Sequence, residues 1–187
     1  MRKTLIVMLK EPRPGRVKTR LGAGLGLVGA AWWYRHQVAR LLREVDDPRW
    51  RVVLAVAPDN EGLTSRIWPS NFMRLPQGSG DLGMRMKRAL STVGPGPVCL
   101  IGSDIPGIRK RHIADAFAAL GASDAVFGPS EDGGYWLVGV KRGVPHGMFA
   151  GVRWSSAHAL ADSEASLTGV RVTRVAQLRD VDTVDDL

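Results

Sequence analysis

Thr4-Leu5-Ile6-Val7-Met8-Leu9-Lys10-Glu11-Pro12-Arg13-Pro14-Gly15-Arg16-Val17-Lys18-Thr19-Arg20-Leu21 changes character partway along. Its first part, Thr4 to Met8, is a short apolar run that reads as a strand. The remainder is a loop that carries Lys10, Arg13, Arg16, Lys18 and Arg20, stiffened by two prolines and opened by Gly15. A strand running straight into a basic, glycine-containing loop is how α/β proteins bind phosphate at the carboxyl edge of a sheet. Lys and Arg neutralise the phosphate charge, and Arg can do so through two parallel hydrogen bonds. The spacing is not that of a P-loop, and Gly22-Ala23-Gly24-Leu25-Gly26 does not continue as G-x-G-x-x-G. A basic loop on a basic protein is the plain alternative to a phosphate site.

Downstream, apolar periodicity predicts further elements. Residues 28–45 read as an amphipathic helix with Val28, Ala31, Trp32, Val38, Leu41, Leu42 and Val45 on its apolar face. The aromatic cluster Trp32-Trp33-Tyr34 reads as core packing plus one exposed ring. Arg51–Ala57 is a second strand, nearly continuous in apolar residues, as suits a parallel strand covered on both faces. Pro58-Asp59-Asn60 ends it as a turn. A short strand near residues 72–75 leads to a polar glycine-rich loop, Gln77–Asp81, and a helix over residues 82–93. A strand at 97–101, a helix at 109–120 and strands at 125–127 and 135–140 follow. A helix near 157–167 and a strand near 170–175 complete the order. Alternation of strand and helix predicts a single-domain α/β chain, residues 1–187, with a doubly wound, mostly parallel sheet. Right-handed crossovers gather the strand-end loops on one edge of such a sheet.

At 187 residues, with 44% hydrophobic and 24% charged residues, the chain has the composition of one soluble globular domain. It contains no apolar run of ~20 residues, so no transmembrane helix is expected, and the N-terminus lacks the cleavage site of a signal peptide. The single cysteine, Cys99, lies in an apolar strand and reads as a buried thiol, which makes the cytoplasm the expected location. A net charge of +8 attracts phosphorylated ligands, nucleic acid or anionic membranes. The Arg residues are scattered, however, apart from the first loop and Arg109-Lys110-Arg111, and no aromatic-basic interleaving of the single-strand-binding kind occurs. Small phosphorylated ligands and solubility therefore account for the charge better than nucleic acid does.

Three acidic segments complete the motifs. Gly102-Ser103-Asp104-Ile105-Pro106 puts a carboxylate just past a strand end, where it could hold Mg²⁺ or Mn²⁺ on a diphosphate or form a turn or cap. Gly128-Pro129-Ser130-Glu131-Asp132-Gly133-Gly134 is either a plain hairpin turn or a loop whose carboxylates supply a base or orient an acceptor. Asp180-Val181-Asp182-Thr183 stands near the C-terminus, as a ligand segment or as the cap of one helical turn. The four histidines show no zinc-site spacing, and no Gly-x-Ser-x-Gly is present.

Six motifs occur in order. They are Lys10-x-Pro12-x-Pro14-Gly15-Arg16-Val17-Lys18-Thr19-Arg20-Leu21, Gln77-Gly78-x-Gly80-Asp81-Leu82-Gly83-x-Arg85-Met86, Gly102-Ser103-Asp104-x-Pro106, Gly128-Pro129-x-Glu131-Asp132-Gly133-Gly134-Tyr135-Trp136-Leu137-Val138-Gly139, Phe149-x-x-Val152-x-Trp154-Ser155 and Asp180-Val181-Asp182-Thr183. With them the chain resembles the radical-SAM/selenodomain-associated transferase family, which has a Rossmann-like, glycosyltransferase-A (GT-A) nucleotide-diphospho-sugar transferase fold. More distantly it resembles the molybdenum-cofactor and phospholactate guanylyltransferases.

The resemblance implies nucleotide binding by Lys10, Gly15, Arg16, Lys18 and Arg20, with Gln77 and Arg85 near the base or sugar. It implies a Mg²⁺ or Mn²⁺ ion on Asp104 and Asp182, and an acceptor side at Glu131, Asp132 and Trp154. Lys18 and Asp132 are the expected catalytic groups. Asp104 stands alone where many glycosyltransferases of this fold carry Asp-x-Asp. The expected activity is metal-dependent glycosyl transfer from a nucleotide-sugar to a small-molecule acceptor. The alternative is nucleotidyl transfer from an NTP to a phosphorylated acceptor, and the third reading is a non-catalytic nucleotide- or RNA-binding protein.

Overall fold

The computed structural model describes residues 2–186. Met1 and Leu187, the ends of the expected 1–187 domain, lie outside the described residues. Seven strands form one sheet: β1 (Thr4–Lys10), β2 (Arg51–Ala57), β3 (Met73–Pro76), β4 (Val98–Ile101), β5 (Ala125–Pro129), β6 (Tyr135–Val140) and β7 (Val172–Arg174). Their spatial order is β3-β2-β1-β4-β6-β5-β7. All neighbouring pairs are parallel except those of β6, which runs antiparallel to both β4 and β5. Among the described residues, five α-helices accompany the sheet: α1 (Thr19–Val45), α2 (Asp59–Thr64), α3 (Leu82–Thr92), α4 (Lys110–Ala119) and α5 (Ala159–Ala165). This is the doubly wound, mostly parallel architecture expected from the sequence.

Strand β1 shows why both faces are covered. Side chains alternate across a strand: Leu5, Val7 and Leu9 pack on one side with Val38, Leu41 and Leu42 of α1 and Ile113 and Phe117 of α4. Ile6 packs on the other side with Met86 and Leu90 of α3 and Leu160 of α5. Cys99 is fully buried in this core, as expected, and burial pushes its thiol pKa far up.

Two local expectations change. First, α1 holds two helical stretches separated by a kink at the non-helical Gly26 (φ 73°, ψ 153°): the stretch after the kink is the helix expected over 28–45, and the stretch from Thr19 up to the kink was not expected. Val28 and Trp32, expected on the apolar face, are 72% and 64% exposed; the expected Ala31, Val38, Leu41, Leu42 and Val45 do meet the core, joined by Ala30, Tyr34 and Gln37. Second, the expected turn at Asp59 is the first residue of the short helix α2. β5 and β6 form the hairpin that was one reading of Gly128–Gly134, and it inserts β6 between β4 and β5.

β1 is flanked by β2 on one side and β4 on the other, and the chain leaves it toward α1 and leaves β4 toward α4. The crevice beyond the ends of β1 and β4 is where a doubly wound sheet binds its ligand. Among the described residues, no helix is long and apolar enough to cross a membrane.

Candidate active site

A cleft of about 790 Å³ opens at that switch point, a size suited to a nucleotide-sized ligand. Lys10 enters from the end of β1, Gly102, Ser103 and Asp104 from the end of β4, and Asp132 from the β5–β6 hairpin. Asp180 and Asp182 enter from the C-terminal segment.

Lys18 is at the centre of the charge arrangement. It precedes α1 in a left-handed backbone conformation (φ 46°, ψ 49°) and its side chain is only 8% exposed. Its Nζ lies 2.7 Å from Asp104 Oδ2 and 2.8 Å from Asp182 Oδ1. Burial opposes its charge, but Asp104 and then Asp182 outweigh burial and hold the ammonium above the ordinary lysine range. Arg20, largely in solvent, reaches Asp182 Oδ2 at 3.3 Å. Because one ammonium touches both carboxylates, the two aspartates lie close enough to share a single ion.

Their meeting has a backbone cause. Val181 N–H donates to Asp104 O at 3.2 Å, and Val181 is buried while Asp180 and Asp182 are half-exposed. Alternate residues of an extended segment share a face, so both aspartates turn into the cleft. The segment is closed by Asp186, whose Oδ2 accepts from Asp182 N–H (3.0 Å), Thr183 N–H (2.8 Å) and the Thr183 hydroxyl (2.9 Å). The Thr183 N–H and hydroxyl, then Asp182 N–H and Arg179, hold the Asp186 carboxyl well below the usual carboxylate range. The expected single turn is thus a 3-10 turn, Val184–Asp186, closed from its far end by Asp186. Asp182, weighed as a cap, instead gives its side chain to Lys18 and Arg20.

The sequence reading passed over Asp180. Burial first, then Asp132, Asp182 and Asp104, push its carboxyl pKa up. The i, i+2 spacing of Asp180 and Asp182 around an apolar residue was the available signal. Tyr34 was read only as core. Its buried hydroxyl accepts from Lys10 N–H at 3.1 Å and lies 2.8 Å from Ser103 Oγ, tying α1 to the ends of β1 and β4. Burial pushes the Tyr34 phenol up to about 12.

Gln77 lines the cleft but is 2% exposed, and its amide is committed within the protein. Nε2 donates to Leu9 O (2.9 Å) and Ala55 O (2.7 Å), and Oε1 accepts from Arg85. Gln77 thus sits at the cleft, where it was expected, with its amide spent on strand-end carbonyls and on orienting Arg85. Burial lowers the Arg85 pKa, with Asp59 opposing and Arg88 adding to the shift. Trp154 also lines the cleft, edge-on to Phe149 at 5.8 Å between ring centres. Gly83, in the first turn of α3, leaves room for it: a Cβ there would stand 2.6 Å from Trp154 Cζ2.

Three expected residues are not among the cleft walls. Gly15 and Arg16 lie outside it, and Arg16 approaches Glu61 (3.6 Å) beside Arg13 (2.9 Å). Glu131 points to solvent near Arg179 at 3.9 Å, whereas its neighbour Asp132 lines the cleft and accepts Gly134 N–H at 2.9 Å. The Asp-Gly-Gly loop is therefore both hairpin turn and cleft wall.

Among the described residues, no group of three or more His, Cys, Asp or Glu side chains forms a metal site. Asp104 and Asp182 are a pair of hard oxygen donors with a cation, the Lys18 ammonium, already between them. Such a pair suits Mg²⁺ or Mn²⁺ carried by a phosphate, because these ions take one or two carboxylates and fill the remaining positions with water and phosphate.

Residues 41–156 match the model of a family described as an uncharacterized protein conserved in bacteria, DUF2064. The chain belongs to this family. Among solved structures, it is similar to a candidate nucleotide-diphospho-sugar transferase from Desulfovibrio desulfuricans G20, with 31% identity over 100% of this chain and 85% of that one, and a TM-score of 0.87. Two further likenesses extend to the fold alone. One is to 4-diphosphocytidyl-2C-methyl-D-erythritol synthase from Anaerococcus prevotii DSM 20548, 11% identical over 99% and 94% of the two chains, TM-score 0.62. The other is to Rv0371C from Mycobacterium tuberculosis H37Rv in complex with manganese, 15% identical over 100% and 96%, TM-score 0.59. No curated protein matches. This DUF2064 chain thus shares the fold of a candidate nucleotide-diphospho-sugar transferase and of a 4-diphosphocytidyl-2C-methyl-D-erythritol synthase.

Proposed function

We infer that this DUF2064 protein transfers a sugar from a nucleotide-diphosphate donor bound at the switch-point cleft. The carrying observation is Lys18 Nζ between Asp104 and Asp182, at 2.7 and 2.8 Å, in a cleft also lined by Lys10, Arg20 and Arg85. The basic side chains would bind the donor's phosphates. Asp104 and Asp182 would hold a divalent ion, Mg²⁺ or Mn²⁺. Such an ion, when bound, stabilises the negative charge of the diphosphate leaving group. Lys18 adds a cation on the same diphosphate, and Tyr34 fixes the two strand ends from which Lys10 and Asp104 project.

Asp132 and Asp180 face the acceptor side of the reading. Neither has an ion-pair partner among the described residues, and burial, then Asp132, Asp182 and Asp104, raise the Asp180 carboxyl pKa, which makes its carboxylate a stronger base. A carboxylate in this position is suited to take a proton from an attacking hydroxyl. The same two carboxylates would repel a phosphorylated acceptor, which favours glycosyl transfer over the nucleotidyl alternative.

The test is a ligand panel. Melting temperature is measured with NTPs and with nucleoside-diphosphate sugars, each with Mg²⁺ or Mn²⁺. The best stabiliser is then incubated with the protein, and its products are separated. A nucleotide-sugar that stabilises the protein and yields nucleoside diphosphate supports the reading. Stabilisation by an NTP alone, with release of pyrophosphate, replaces it with nucleotidyl transfer.

A further inference from the structure

We propose that Lys18 is an internal counter-ion that makes the cleft selective for metal arriving with a phosphate: the Asp104–Asp182 pair binds a divalent ion tightly only when phosphate draws Lys18 away. This rests on the metal role assigned to the two aspartates above and goes beyond it, since it concerns the form in which the metal is accepted.

The position between the carboxylates is already filled. Lys18 Nζ touches one oxygen of each aspartate, and Arg20 takes the second oxygen of Asp182. A dication entering alone would sit against the ammonium or displace it. Two positive charges a few ångströms apart repel strongly wherever water is partly excluded, and the Lys18 side chain is 8% exposed. Displacement by bare metal would also strand the ammonium without the anion it now has. A diphosphate changes both conditions. It brings negative charge for Lys18 to move onto, and the flexible four-carbon stem of lysine allows that movement without a change of backbone. It also supplies oxygen ligands that a site of two carboxylates lacks. Lys18 thereby discriminates between free metal and a metal–diphosphate complex. An arginine at this position would not perform the same exchange, because its planar fork would grip both carboxylates more rigidly.

The experiment uses the full chain without nucleotide and follows free Mn²⁺ by its solution EPR signal. Wild-type protein is compared with Lys18→Met, Lys18→Gln and Lys18→Arg, all checked for intact fold by circular dichroism. The two neutral variants should bind Mn²⁺ at least tenfold more tightly than wild type, Lys18→Arg should not, and adding Asp104→Asn to Lys18→Met should remove the gain. Equal affinity in wild type and both neutral variants, lost in each case with Asp104→Asn, overturns the counter-ion role while leaving the metal role of the aspartates standing. Mn²⁺ binding indifferent to Asp104→Asn, or none in any folded variant, overturns the metal assignment and this proposal with it. Micromolar or tighter binding of Mn²⁺ alone by wild type, abolished by Asp104→Asn, overturns the counter-ion role even if the neutral variants fail to fold.

Discussion

The backbone N–H of Val181 donates to the carbonyl of Asp104 at 3.2 Å. This one hydrogen bond joins the C-terminal segment to the end of β4 and brings Asp182 onto the Lys18 ammonium that also holds Asp104. Val181 is 5% exposed and is the apolar anchor of the segment. Truncating it, Val181→Ala, should lower stability by roughly 1–2.5 kcal/mol, from lost burial and a small cavity. It should also weaken nucleotide binding without touching a ligand-facing atom. Chemical denaturation and calorimetric titration of the same variant check both effects.

The fold was legible because its main signals are local. Strands such as β2 are apolar along nearly their whole length, and α3 and α4 carry clear apolar faces. The helical stretch from Thr19 was not read from the sequence because Gly22 and Gly24 are poor helix formers; the chain is helical through both and kinks at Gly26. The site was partly legible: Lys18, Asp104, Asp132 and Asp182 do converge. Gln77 and Glu131 show the limit. Polar type and motif position cannot tell a side chain aimed at ligand from one bonded to strand-end carbonyls or turned to solvent. Asp180 and Tyr34 were missed because their importance lies in contacts between segments far apart in the chain.

Lys18→Ala and Arg20→Ala should differ. Loss of Lys18 should weaken nucleotide binding by roughly 1.5–3 kcal/mol, the range for a charged hydrogen bond. Arg20 is 78% exposed and 3.3 Å from Asp182, so its loss should cost less than about 1 kcal/mol. Calorimetric titration with the stabilising nucleotide compares the two.

Tyr34→Phe removes the hydroxyl that meets Lys10 N–H and Ser103 Oγ. The expected loss of stability is about 0.5–1.5 kcal/mol, measured by urea unfolding. Ser103→Ala should give a loss of similar size. The double variant should lose less than the sum, because the two hydroxyls share one hydrogen bond.

Gly83→Ala tests the seat of Trp154. The added methyl would meet Trp154 Cζ2 at 2.6 Å and Phe149 Cβ at 3.0 Å. Overpacking of this kind costs about 1–3 kcal/mol. Tryptophan fluorescence should shift, and the shift should be absent in a Trp154→Phe background.

His112 predicts a pH dependence of stability. Burial first, then Arg111, lowers its pKa from the ordinary 6.5, opposed in part by Asp115. The fold therefore favours neutral imidazole, whose Nδ1 accepts Arg109 N–H at 3.2 Å. A group neutral in the fold and more readily protonated when unfolded contributes stability above about 6.5, lost as pH falls toward the folded-state value. Melting temperature between pH 7.5 and 5 should fall more steeply for wild type than for His112→Gln.

In the proposed function, Asp104 and Asp182 hold a divalent ion on a nucleotide diphosphate and Lys18 turns to the phosphate. The most direct measurement is the anomalous scattering of Mn²⁺ in crystals grown with Mn²⁺ and the nucleotide that most raises the melting temperature. One strong peak is expected between the Asp104 and Asp182 carboxylates, with Lys18 Nζ on a phosphate oxygen. Nucleotide in the cleft with no peak there, and Lys18 still bridging both aspartates, would contradict it.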